Sequence, residues 1–385
     1  MKDQFLLRDN ITFLNFGSFG ACPKPVFKRY QEFQLELEQE PVQFITVKGP
    51  QYLKQSREAL GKYINANADD IVFVPNPTFA VNIIAKNFSL NKDDEVLSTN
   101  IEYGACDRTW DYYCKKAGAV YKRQPINFPL SNKEDFIKQF STGINSKTKL
   151  IFISHITSST GLRLPVEEIC AIAKQKGILI FIDGAHAPGQ IPVDLQASDV
   201  DFYSGACHKW MMTPKGSSFL FVKKDLQKNL DPLVISWGYQ ALFPSDSQFL
   251  DYHQFNGTRD FSAYLTIPQA IDFMQQNNWD KVSDDCRKLV KENAHELCRI
   301  LNTSPISSLT DDFVLQLFSA PVKTAEPEKL KQHLYEKCKI EIPVMRQNDK
   351  VYLRYSINAM NTQADLDKLF ESIKKIKKET NLIET

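Results

Sequence analysis

No run of apolar residues in this 385-residue chain approaches the ~20 that a membrane-spanning helix needs. None follows Met1-Lys2-Asp3-Gln4 either, so no secretory signal is expected. The eight cysteines show no CxxC spacing, and a chain of this length needs no disulfide staples. The six histidines form no HxxxH or HExxH pattern, so no metal site is expected. Charge of one sign is also lacking: 47 basic against 46 acidic residues leave a net charge of +1. That balance offers no field to nucleic acid or an anionic membrane and leaves a small molecule as the expected partner. The lysines from Lys374 to Lys378 read as the solvated face of a last helix. A reduced, cytoplasmic protein is the expectation.

What is present is an ordinary globular composition, 43% hydrophobic and 24% charged, in a chain long enough for two domains. Short apolar runs at 71–74, 95–98, 119–123, 150–154, 178–182, 200–203 and 217–222 alternate with helix-like stretches, including 79–88, 103–117, 133–140 and 165–176. That alternation predicts an α/β domain built on a mostly parallel seven-stranded sheet. An amphipathic helix precedes it at 26–40, and an aromatic-rich irregular stretch follows at 230–255. Helices at 264–276 and 279–301 then lead to alternating strands and helices at 313–318, 328–338, 341–344, 351–355 and 363–378. The predicted division is an N-terminal segment (1–45) packing on the small domain, a large α/β domain (46–265), and a smaller C-terminal α+β domain (266–385).

The chemistry concentrates at strand ends. One strand runs into Asp183-Gly184-Ala185-His186, and a later one runs into His208-Lys209-Trp210. A carboxylate and a lysine closing two buried strands suit pyridoxal phosphate (PLP): the lysine forms a Schiff base with the aldehyde, and the carboxylate pairs with the ring nitrogen. Asn76-Pro77-Thr78-Phe79 lies between a strand and a helix, where Thr78 serves either as a plain N-cap or as part of a phosphate cradle with the neighbouring N–H groups. Tyr103 follows another strand and either packs or stacks on a ring. His186 is either a satisfied loop residue or a partner for the phenolic oxygen of the cofactor, and His208 can reach the phosphate or move a proton. Ser204 is a weaker phosphate candidate. Arg354 stands alone in an apolar strand and needs a carboxylate, supplied either by an internal ion pair or by an amino-acid substrate.

Taken together, these segments resemble the class V aminotransferase family of fold-type I PLP enzymes, in its isopenicillin N epimerase-like and C–S lyase branch. The resemblance rests on Leu14-Asn15-Phe16-Gly17-Ser18-Phe19-Gly20-Ala21-Cys22-Pro23, Glu102-Tyr103-Gly104-Ala105, Ser154-His155-Ile156-Thr157-Ser158-Ser159-Thr160-Gly161, Asp183-Gly184-Ala185-His186-Ala187, His208-Lys209-Trp210, Gly257-Thr258-Arg259-Asp260 and Arg354. It implies Lys209 as the Schiff-base lysine, Asp183 on the ring nitrogen, Tyr103 stacked on the ring and His186 at the phenolic oxygen. Thr78, Phe79 and His208 would hold the phosphate, with Thr258 reaching it from the second subunit of a homodimer. His155 and Thr157 would lie beside the cofactor. Arg354, Asn15 and Gly17 would bind the substrate. Phe16, the segment 40–44 and Ala206 depart from the branch's usual residues, and the first two touch the substrate side.

The expected reaction is β-elimination from a cysteine-derived amino acid, with Lys209 as base. Epimerisation or transamination is the alternative. A cysteine desulfurase would need a mobile nucleophilic thiol on a loop shortly before Arg354; Cys338 sits at a helix end instead. A non-catalytic homologue would have no use for an intact lysine, aspartate and phosphate set.

Overall fold

A computed structural model describes residues 1–384. In chain order the strands are β1 (Thr12–Phe13), β2 (Ile71–Val74), β3 (Glu95–Thr99), β4 (Val120–Gln124), β5 (Thr148–Ser154), β6 (Leu179–Gly184), β7 (Phe202–Ala206) and β8 (Ser218–Val222). They continue with β9 (Leu317–Pro321), β10 (Ile340–Glu341), β11 (Val344–Gln347) and β12 (Lys350–Ser356). β2 to β8 form one seven-stranded sheet in the order β2-β8-β7-β6-β5-β3-β4. β8 alone runs against the direction of the other six strands. β2, β7 and β8 are buried along their whole length because helices cover both faces, which is why they read as continuous apolar runs rather than alternating ones.

The site follows from the topology. The chain steps from β3 to β4 in one direction and from β5 through β6 to β7 in the other, so the order reverses between β3 and β5. In open α/β sheets ligands bind beyond the C-terminal strand ends at such a reversal. Here those ends carry Tyr103, Ser154, Asp183 and Lys209.

A second layer holds the three-stranded sheet β11-β12-β9 and the helices Trp279–Ile300 and Gln363–Glu379. The N-terminal segment is bonded into it: β1 pairs in parallel with β10, and the Ser356 N–H donates to the Leu14 carbonyl at 2.9 Å. It then passes over the lysine. Gly20 has φ +64°, and a Cβ there would lie 2.5 Å from the carbonyl oxygens of both His208 and Lys209. Only glycine permits that approach.

Several boundaries differ from expectation, each for a local reason. The helix after β2 is Pro77–Asn87, begun at proline and capped by Asn76, whose Oδ1 accepts from the Phe79 N–H at 2.9 Å; Thr78 is not the cap. The run at 341–344 is two strands, β10 and β11, interrupted at Pro343, which has no N–H for a ladder. The helix expected at 264–276 breaks into Ser262–Leu265 and Ile267–Gln276, with Pro268 in the first turn of the second. The irregular stretch at 230–255 ends in a helix, Gln248–Gln254, capped by Ser247. The helix Gly49–Tyr63 was not anticipated at all. No helix is long and apolar enough to cross a membrane, and no cluster of ligating side chains suits a metal ion, among the described residues.

Candidate active site

A cavity of about 500 Å³ opens at these strand ends, lined by Asn76, Pro77, Thr78, Tyr103, Ser154, Asp183, His186, His208 and Lys209, with Gly17, Ser18 and Ser158 on the far side. The Asp183 carboxylate is 3% exposed. Its Oδ1 accepts from the Ala185 N–H at 3.0 Å and the Ser204 hydroxyl at 3.4 Å, and its Oδ2 from the Cys106 thiol at 3.5 Å. Burial raises its pKa, against the pull of the Ala185 N–H and the Lys209 charge. Ser204 therefore serves Asp183 and not a phosphate.

Lys209 Nζ lies 3.2 Å from His186 Nε2. Burial pushes the lysine down to about 8, with Asp183 opposing and Arg354 adding to the fall. His186 is held well below its ordinary range, first by burial and then by the Lys209 and Arg354 charges. His208 Nδ1 sits 2.8 Å from the Ser217 carbonyl, and burial takes it down to about 4. Tyr103, the N-cap of the helix Gly104–Ala117, leaves its ring 48% exposed on the cavity wall.

Arg354, in the middle strand β12, is 1% exposed. It donates to the Ser158 carbonyl and, at 3.2 Å, to Ser18 Oγ, while its Nε is buried without a partner. Burial lowers it to about 10 with no acidic neighbour to offset the effect, so the internal ion pair does not exist among the described residues. A Cβ on Gly17 would stand 3.3 Å from the guanidinium, so the glycine keeps this approach open.

Five expected contacts lie elsewhere. Side chains alternate across a strand and its extension. Ser154, Ile156 and Ser158 line the cavity, so His155 and Thr157 point the other way. His155 Nδ1 meets the Tyr203 hydroxyl at 3.1 Å, and the Thr157 hydroxyl accepts from the Leu162 N–H at 2.9 Å. The Phe79 N–H is spent on Asn76, and its ring packs beneath the sheet. Asn15 Oδ1 accepts from the Ser18 hydroxyl at 2.5 Å, so it supports Arg354 through Ser18 and does not face the cavity. Thr258 is exposed and away from its own chain's cavity.

The structure adds Glu102, which the sequence offered only as the neighbour of Tyr103. It is 1% exposed, accepts from the Thr99 hydroxyl at 2.6 Å and from the Ser154 N–H at 2.9 Å, and is pushed up by burial to about 8. Above its ordinary range of about 4.5 the unfolded chain releases this proton while the fold retains it, so stability falls as pH rises toward 8. The loss amounts to up to about 2–3 kcal/mol between pH 6 and 8. Glu102→Gln is expected to flatten that fall, read as thermal midpoints of both proteins across the window.

The arrangement fits PLP. The buried Asp183 carboxylate has hydrogen-bond donors but no ion-pair partner, Lys209 is lowered by burial to about 8, a helix N-terminus with Thr78 and His208 offers a phosphate seat, and the Arg354 guanidinium has no acidic partner among the described residues. The family model of aminotransferase class-V matches residues 20–369. The chain belongs to the class-V aminotransferase family. This class-V chain is 31% identical to an isopenicillin N epimerase of Amycolatopsis lactamdurans, over 98% of each chain. It is 29% identical to an L-cysteine desulfhydrase of Arabidopsis thaliana, over 68% of this chain and 60% of that one. Among solved structures, the cystine C–S lyase C-DES, in a variant with glycine covalently linked to its PLP cofactor, superposes with a TM-score of 0.82 at 18% identity, over 97% of this chain and 99% of that one. The fold is that of PLP-dependent enzymes of fold type I, and the cofactor is PLP.

Proposed function

We propose that this enzyme is a C–S lyase that removes a sulfur leaving group from a cysteine-derived amino acid by β-elimination. When bound, PLP supplies an electron sink that makes the Cα–H of an attached amino acid acidic. Asp183 would hold the positive charge on the ring nitrogen, His186 would meet the phenolic oxygen, Tyr103 would cover the ring, and Thr78 with His208 would seat the phosphate. Arg354 takes the substrate carboxylate in its fork, steadied by Ser18 and, behind it, Asn15. Lys209 Nζ would accept the Cα proton and give it to the departing sulfur as the Cβ–S bond breaks, so that the sulfur leaves as a thiol. The released enamine hydrolyses to pyruvate and ammonium.

One observation carries this reading: a single amine base, Lys209, stands in the cavity, and elimination needs no more. Its outer wall, with Phe19, Ile156 and Met345, suits an uncharged sulfur substituent. A persulfide-forming desulfurase lacks support, because Cys22 and Cys338, the two cysteines that are not buried, line no part of this cavity. Epimerisation keeps one specific support, the half-exposed Tyr103 phenol, which could protonate the face away from Lys209. We also propose a homodimer in which the exposed Thr258 completes the partner's phosphate seat; sedimentation of the PLP-loaded protein at the mass of two chains checks it.

The test is product analysis with L-cysteine, cystine and S-substituted cysteines and their sulfoxides. Pyruvate and a thiol or other sulfur product in equal amounts are expected. Recovery of the intact amino acid with inverted Cα, and no pyruvate from any of them, contradicts the lyase and supports the epimerase.

A further inference from the structure

The residue after the catalytic lysine is itself buried and polar. Trp210 is 0% exposed, and its ring lies 5.2 Å from that of Phe16. Its indole Nε1 donates to His186 Nδ1 at 3.3 Å. His186 Nε2 in turn lies 3.2 Å from Lys209 Nζ, and the histidine's backbone carbonyl accepts from the Gln190 side chain at 2.9 Å. Three polar groups thus form a chain, with its middle member 2% exposed.

An indole N–H can only donate, a neutral imidazole carries one donor and one acceptor, and an ammonium has no acceptor. With Trp210 donating, Nδ1 must be the acceptor and the imidazole proton must sit on Nε2. That N–H points at Lys209 Nζ and needs a lone pair there. We propose that Trp210 is a positioning residue that fixes the His186 tautomer and, through it, holds Lys209 as the unprotonated amine that can attack an aldehyde. A charged lysine would face the Nε2–H proton to proton. The other tautomer would remove that clash only by setting Nδ1–H against the indole N–H. Either arrangement sets two donors against each other within the chain, which costs free energy.

Other groups act on the pair as well. Asp183 and Cys106 favour the ammonium, whereas Arg354 disfavours it; Lys209, Arg354 and His208 all oppose a charge on His186. Burial moves Lys209 and His186 in the same direction as the hydrogen-bond chain. The inference rests on the cofactor site and not on elimination, so a failure of the lyase reading leaves it standing.

The test reads protons directly. In protein labelled with ¹⁵N-histidine and stripped of cofactor, the His186 ring, assigned by its loss in His186→Gln, is expected as the Nε2–H tautomer. Trp210→Phe keeps a packed ring but removes the N–H. It is expected to mix the tautomers and to raise the pH midpoint for PLP capture, slowing capture at pH 7 by roughly five- to tenfold. His186→Gln can accept from Trp210 and donate to Lys209, so it should keep the low midpoint, whereas His186→Leu should raise it. An Nδ1–H tautomer in the wild-type protein overturns the proposal even if Trp210→Phe does not fold. An unchanged capture midpoint in a folded Trp210→Phe overturns it too.

Discussion

Lys209→Ala is expected to lose at least about 10³-fold in turnover of any substrate, since a positioned acid–base group alone contributes roughly 10²–10⁴-fold. On the proposed reading the loss exceeds a pure proton-transfer defect, because the same amine anchors the cofactor. The variant should fold, because among the described residues the amine has one hydrogen-bonding partner, His186, and no ion pair to lose. It should still bind PLP through Asp183 and the phosphate seat, but reversibly, so that gel filtration strips it. Lys209→Arg should be equally inactive, since a guanidinium stays charged at any working pH. Turnover within tenfold of wild type in either variant would remove Lys209 from the chemistry.

Arg354→Gln is the second large effect. On the proposed reading this fully buried guanidinium, with no acid beside it, contributes charge-assisted, forked binding to the substrate carboxylate. Truncating one side of such a pair costs about 2–5 kcal/mol, which is roughly 30- to 4,000-fold in kcat/KM, carried mainly by KM. Arg354→Lys should recover little, because an ammonium cannot match a carboxylate with two parallel donors. The substrate-free protein should behave in the opposite sense. It carries an uncompensated buried charge, so Arg354→Gln is expected to leave its thermal midpoint unchanged or raised. A variant that loses stability while keeping kcat/KM would make Arg354 a structural residue.

The parts of this molecule legible from sequence are those where one local rule decides. The seven strands of the large sheet were legible because both faces are buried, which leaves uninterrupted apolar runs such as Ile71–Val74. Asp183 and Lys209 were legible because polar residues that end such runs stand at the rim of the sheet. His155 and Thr157 were misjudged for a reason the sequence does contain: counting by twos from Ser154 puts them on the opposite face. Other features depend on partners remote in the chain. β1 finds β10 more than three hundred residues later, Gly20 meets the backbone of Lys209, and the isolation of Arg354 is visible only when nothing acidic surrounds it. Glu102 and Trp210 could be seen beside motif residues, but their roles follow from bonds to Ser154 and His186 that no spacing encodes.

The central claim, that this chain carries PLP on Lys209 at the ends of β6 and β7, is tested most directly by borohydride reduction of the cofactor-loaded protein. Proteolysis and mass spectrometry of the peptides then locate the added pyridoxyl group. The account expects the group on Lys209, in one equivalent per chain, and a visible absorption band that disappears on reduction. A label on Lys215, the next lysine along the chain, or no label at all, would contradict it.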